Sequence, residues 1–189
     1  MNWLAHLVLS EPKPEFKVGN LLADLLPITE LRELPAPYQP GILRHRAIDS
    51  FTDKHEIFRR SVSRLDARYR RFGGVIMDIF YDHLLTTRWQ VYCAQPLNSF
   101  VDQFYVDVET CHGTIPAGVY TIFQRMRIGG WLTSYGDISG VRITLQRISR
   151  RLRRPVDLSS AADELERLHE QFDQDFAEFF PLIRSQFSA

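Results

Sequence analysis

Apolar residues recur at intervals of three and four along nearly the whole of this 189-residue chain, a spacing that winds a hydrophobic stripe onto each of a series of α-helices. Prolines and glycine pairs cut the pattern into pieces. The spacing predicts helices over Asn2–Leu9, ended by Pro12 and Pro14, and over Phe16–Leu26, stopped by Pro27. Beyond a loop marked by Pro35, Pro37 and Pro40 it predicts Gly41–Asp53 and roughly Lys54–Arg71, with Gly73-Gly74 as punctuation. A strongly apolar helix follows over Val75–Trp89, then Leu97–Cys111, Ala117–Arg127, Ser139–Arg153 and Ser159–Phe187, the last kinked at Pro181. No segment alternates as a half-buried strand would. The expected fold is an all-α, single-domain helical bundle over 1–189.

Polar groups set into these apolar stripes narrow the function. Asp78, Asp82 and His83 stand among Ile76, Met77, Ile79, Phe80, Leu84 and Leu85. Asp78 and Asp82 share one helical face, with His83 on its flank. His45, Asp49 and Asp53 are spaced four apart, with Arg46 one residue off the stripe. Asn2 and His6 are four apart, as are Asn20 and Asp24, the latter flanked by leucines. Carboxylates and imidazoles on apolar helices are costly to bury unless they pair or bind a cation. Each alone has a plainer reading: a core histidine at His6, an arginine-paired carboxylate at Asp49, a helix cap at Thr52-Asp53. Taken together they point to a metal-dependent hydrolase with a mixed imidazole and carboxylate shell, which favours Mn²⁺, whereas an all-carboxylate shell would favour Mg²⁺. His55, His112 and His169 have no such partners and stay outside the site.

Composition sets wider bounds. Formal net charge is zero, so bulk charge selects no partner. Only three of 23 basic residues are lysines, and arginines cluster in two blocks, Arg59–Arg71 and Arg142–Arg154. These are either solvated faces balanced by the acidic C-terminal segment or a docking surface for an acidic protein or a phosphate-rich ligand. Neither block carries the interleaved aromatics of a nucleic-acid platform. Cys93 and Cys111 form neither a C-x-x-C pair nor a disulfide framework, and no signal peptide or membrane span is visible, so a cytoplasmic setting is expected. No P-loop, dinucleotide fingerprint or G-x-S-x-G elbow is present.

The segments MNWLAHLVLS, VGNLLADLL, RHRAIDSFTD, IMDIFYDHLLTTRW, ISRRLRRP and FFPLI, in that order, resemble the acyl carrier protein phosphodiesterase family over nearly the whole chain. The resemblance implies an HD-domain-like phosphohydrolase fold. It also implies hydrolysis of the phosphodiester between 4′-phosphopantetheine and the serine of acyl carrier protein, assisted by manganese or magnesium. Residues matching the family's motifs are Asn2, His6, Asn20, Asp24, His45, Arg46, Asp49, Asp53, Asp78, Asp82 and His83. From these the expected metal ligands are His6, Asp24, His45, Asp78, Asp82 and His83. Expected catalytic roles fall to Asp24 or Asp78 for the attacking water, Arg46 for the phosphoryl oxygens, and His45 or His83 for the leaving group. Acyl carrier protein is acidic, and Arg150, Arg151 and Arg154 are the expected docking residues. Two other readings remain open: a phosphohydrolase of nucleotides or other small phosphoesters, and a non-catalytic helical module whose His/Asp stripes are internal salt bridges.

Overall fold

The computed structural model describes residues 1–150, 152 and 156–187, and helices account for its regular structure. In chain order these are α1 (Trp3–Val8), α2 (Pro14–Leu25), α3 (Ile28–Glu33), α4 (Gln39–Lys54), α5 (Glu56–Arg64) and α6 (Gly73–Thr87). Then come α7 (Trp89–Tyr92), α8 (Leu97–Thr110), α9 (Ala117–Ile128), α10 (Ile138–Ser149), α11 (Ala162–Arg167) and α12 (His169–Phe187). Among the described residues there is no strand, and no helix is long and apolar enough to cross a membrane.

Several boundaries differ from the periodic pattern: the central helix ends at Thr87, and Trp89–Tyr92 forms a separate turn. Ile28–Glu33, beyond Pro27, is itself helical, because proline at an N-cap does not prevent the next turn. The segment expected over Lys54–Arg71 stops at Arg64, where Leu65 turns extended. The closing segment splits at Leu168, whose backbone at φ −116° and ψ 23° leaves the helical region, and α12 continues through Pro181.

α6 is apolar on almost every side and lies at the centre, with Ile76, Met77, Phe80, Tyr81, Leu84 and Leu85 all buried. α1, α5, α10 and α12 pack around it. Aromatic side chains of α12 fill the far side, where Phe176 and Phe179 meet the Tyr81 ring with centroids 5.3 and 5.7 Å away. The neighbouring acid Asp175, 1% exposed, receives Arg60, Arg64 and the Ser61 hydroxyl. Part of the first arginine block is thereby committed to holding α5 on α12.

The crossing of α2 with α4 is the most intimate in the molecule, and two glycines permit it. A Cβ on Gly41 would lie 2.1 Å from the Phe16 carbonyl oxygen, and one on Gly19 would lie 2.4 Å from that of Tyr38. Those neighbours are backbone and cannot swing aside. Close approach here brings Asn20 and Asp24 of α2 against His45 and Asp49 of α4. Gly41→Ala is expected to cost about 2–4 kcal/mol and lower Tm by roughly 4–12 °C in thermal denaturation. Gly74→Ala, whose Cβ meets nothing within 4 Å, should instead be neutral or gain up to about 1 kcal/mol.

Candidate metal centre

His6 and His45 stack face to face, ring centroids 4.0 Å apart and planes 14° from parallel. Both Nδ1 atoms point at a single oxygen, Asn20 Oδ1, at 2.9 Å from His6 and 3.2 Å from His45. The orientation of that amide is fixed independently. Asn20 Nδ2 donates to the His6 carbonyl at 3.1 Å and to Ser10 Oγ at 2.8 Å, and a carbonyl can only accept. Asn20 Oδ1 is therefore an acceptor, so both rings carry hydrogen on Nδ1. This places the lone pair of each neutral ring on Nε2, the arrangement in which histidines ligate metals.

The two Nε2 atoms converge on one carboxylate. His6 Nε2 is 3.1 Å from Asp49 Oδ1, and His45 Nε2 is 3.0 Å from Asp49 Oδ2. One donor atom from each of His6, His45 and Asp49 lies within 4.8 Å of the others. Asp24 Oδ1 lies 3.1 Å from His45 Nε2, while its Oδ2 accepts the Trp3 indole N–H at 2.9 Å. The Met1 carbonyl sits 2.9 Å from His6 Nε2. Asp78 Oδ1 pairs with the Met1 amino group at 2.8 Å, and that group is also 3.5 Å from Asp49 Oδ1.

Burial draws the His6 imidazole down to about 4, against the pull of its Asp49 partner. Two imidazole nitrogens with one or two carboxylates are a donor set suited to a divalent metal ion. At His45 burial again opposes charge, but Asp24 and Asp49 together outweigh it and raise the imidazole to about 9. Burial works against ionisation of Asp49 too, and its two histidine partners hold it well below the usual carboxylate range.

The other expected site residues lie differently. Asp82, fully buried, spends both carboxylate oxygens on α1, accepting from the Leu4 N–H at 2.9 Å and the Ala5 N–H at 3.1 Å. It caps the start of the helix that carries His6, and burial pushes its carboxyl up to about 7. His83 directs Nδ1 to the Tyr135 carbonyl at 2.7 Å and has no contact with the His6–His45–Asp49 group. Arg46 is exposed on α4, next to His45, without an ion pair among the described residues. Asp53 is exposed near the end of α4, and the cap of α5 is His55, whose Nδ1 accepts the Ile57 N–H. Arg150 is exposed, and Arg151 and Arg154 lie outside the described residues. Asp49 and Asn20, absent from the expected ligand and catalytic sets, stand at the middle of the cluster. Their spacing of four from His45 and Asp24 was the available signal.

One family model, described as acyl carrier protein phosphodiesterase, matches residues 1–183. The chain is similar to the acyl carrier protein phosphodiesterase of Pectobacterium atrosepticum, 27% identical over 96% of this chain and 94% of the relative. That of Photorhabdus laumondii is 28% identical over 97% and 93%, and that of Yersinia enterocolitica 26% over 98% and 97%. No solved structure matches the chain.

Two outcomes follow from the proton inventory. A cation entering this group displaces the His45 proton below pH 9, so apparent Mn²⁺ affinity should rise about tenfold per pH unit from pH 7 to 9. Calorimetry in buffers of different ionisation enthalpy reads that release. The sign for stability is opposite: His45 sits above its unfolded value near 6.5. Its ion pairs stabilise the metal-free protein fully below pH 6.5, and that contribution is lost as pH rises through 9. Asn20→Leu, which releases both rings, should weaken Mn²⁺ binding roughly 10–100-fold while the helical circular dichroism is kept.

Proposed function

Because the chain belongs to the acyl carrier protein phosphodiesterase family, we propose that it hydrolyses the phosphodiester linking 4′-phosphopantetheine to the serine of acyl carrier protein. The products are apo-carrier protein and free 4′-phosphopantetheine. A divalent cation, Mn²⁺ in preference to Mg²⁺, would be held by His6, His45 and Asp49, with Asp24 and Asp78 at its edge. The observation that carries this reading is the convergence of His6 Nε2 and His45 Nε2 on the two oxygens of Asp49, with donor atoms of all three residues within 4.8 Å of one another. When bound, such a cation supplies Lewis acidity that makes water nucleophilic near neutral pH and offsets charge on the phosphoryl oxygens.

The chain's own side chains divide the remaining work. Asp24 is about half exposed, its side chain 45% accessible, and is oriented by Trp3, which suits it to hold the attacking water and take its proton. Its ionised form is the base the step needs: burial opposes the charge, yet His45 holds the carboxyl below its ordinary value. Arg46, exposed and next to His45 in sequence, is our candidate for the second cation that meets the non-bridging oxygens. Asn20 is a positioning residue that fixes the tautomer of both imidazoles. We assign Asp82 and His83 to positioning as well: Asp82 secures α1, and His83 ties α6 to the turn containing Tyr135.

An acidic carrier protein needs a basic landing surface, and the arginines are unequally available for it. Arg60, Arg64 and Arg142 are engaged by acids of the C-terminal helices. Arg150 is exposed and has no ion pair among the described residues, and Arg151 and Arg154 follow within four residues in sequence. Joint reversal of these three to glutamate should cut kcat/KM for holo-carrier protein about tenfold or more at low salt, with kcat for bound substrate little changed. Raising ionic strength should reduce the wild-type rate in the same way, because screening sets in beyond about 10 Å at 0.1 M.

The decisive assay incubates purified protein with holo-carrier protein and Mn²⁺ and follows the carrier by mass spectrometry. Loss of the prosthetic arm with retention of the serine hydroxyl is the expected result. Asp49→Ala and His45→Ala should each abolish it, by at least about 10³-fold. An unchanged carrier mass, or full activity in Asp49→Ala, would reject the reading.

A further inference from the structure

Beside the His–Asp cluster lies a cavity of about 80 Å³. Its walls are Trp3, Ile79, Trp131, Tyr135 and Ile148, with Arg147 at the edge. The indoles of Trp3 and Trp131 are near-parallel, centroids 6.3 Å apart and planes 10° from parallel. The Arg147 guanidinium stacks on Trp131, its central carbon 4.6 Å from the ring centroid. It has no ion pair among the described residues. Tyr135 is tied at its hydroxyl to Asn2 Nδ2 at 2.6 Å, so that wall is held in place. The cavity is a preformed apolar recess with one cationic edge.

Trp3 belongs to two sites at once. Its ring face lines the recess, and its N–H holds Asp24 Oδ2 at 2.9 Å. Whatever occupies the recess is therefore one side chain away from the group assigned to the attacking water. In 4′-phosphopantetheine, the carbon bearing two methyl groups is separated from the phosphoester oxygen by a single methylene. At about 80 Å³ the recess is far smaller than the roughly 300–1,000 Å³ of a pocket for a drug-sized ligand, so it takes one compact group and not the whole arm. It matches a compact branched aliphatic group.

We propose that the recess between Trp3 and Trp131 seats the dimethyl segment of the pantetheine arm, with Arg147 reaching the polar atoms that flank it. The assignment presupposes that the adjoining cluster acts on a phosphodiester. Apolar burial of two methyls beside phosphate makes the recess a specificity determinant: phosphoesters with an unbranched carbon at that position would bind the cluster but leave the cavity unfilled.

Simple phosphate monoesters test this without turnover. In calorimetry with the Mn²⁺-loaded protein, neopentyl phosphate should bind about tenfold more tightly than n-propyl phosphate, with inorganic phosphate as the reference for the cluster alone. Trp131→Ala should remove the preference while leaving inorganic phosphate affinity unchanged. Thr144→Trp, which fills the recess from its rim, should do the same without excavating the core. Equal binding of the two esters by wild type, or a preference that survives in both variants, would overturn the recess assignment. If holo-carrier protein is still hydrolysed in that case, only the recess is misassigned. Absence of any phosphate binding, together with an unchanged carrier, would remove the phosphodiesterase reading and this one with it.

Discussion

One amide oxygen organises the site. Asn20 Oδ1 accepts from the Nδ1 of both stacked imidazoles, and its own nitrogen is anchored to the His6 carbonyl and Ser10. Were the amide reversed, its N–H groups would oppose ring nitrogens and the lone pairs would face inward on Nδ1. As it stands, both Nε2 atoms are delivered to the same edge, where Asp49 waits. The bond is within reach only because α2 and α4 cross at near backbone contact, with Gly19 and Gly41 at the closest points. Backbone packing, tautomer and ligand geometry are thus one chain of cause.

The charge balance of this group explains why its histidines behave oppositely. His6 is wholly buried, has one carboxylate partner, and lies near the charge of His45 and of the Met1 amino group, so burial wins and its imidazole is drawn down. His45 lies between two carboxylates, and their attraction overcomes a comparable desolvation. The proton on His45 and the amino group of Met1 together offset the negative charge that Asp24, Asp49 and Asp78 bring together. A divalent ion would do so with fewer rotatable parts and in a position both Nε2 atoms already address.

How much of this was legible beforehand depends on the kind of signal. Helices and their order follow from period and proline, and the two histidines and their neighbouring acids announced themselves by standing where apolar residues belong. The i, i+4 step from His45 to Asp49 was visible, yet an arginine-paired surface carboxylate has the same pattern. Asp82 shows the reverse ambiguity. Its sequence context is that of an inward-facing ligand, and it does face inward, but toward the amides of α1. A spacing rule places a residue on a face of its own helix and says nothing of whether a cation or a helix terminus lies opposite. The role of Gly41 was equally hidden, since close approach is a property of two helices and only one is present in any window. The break at Leu168 arises from φ and ψ at a residue with good helix propensity, which no local signal marks.

The same logic explains why the aromatic recess sits where it does. A short helix such as α1 has little stability of its own, since six residues make only a turn and a half. Asp82 caps its first amides, His6 and Leu4 bury into the core, and Trp3 reaches outward from its first position. Trp3 holds Asp24 through its indole N–H, while its ring lines the recess together with Trp131. A void against the indoles leaves apolar surface without contact partners, which an isolated packing element would close by side-chain adjustment. Here the walls are fixed from outside: Tyr135 through Asn2, Arg147 over Trp131, Ile79 from the central helix. Walls fixed in this way keep the apolar recess in shape and tie it, through the single side chain of Trp3, to Asp24, the carboxylate proposed to hold the attacking water.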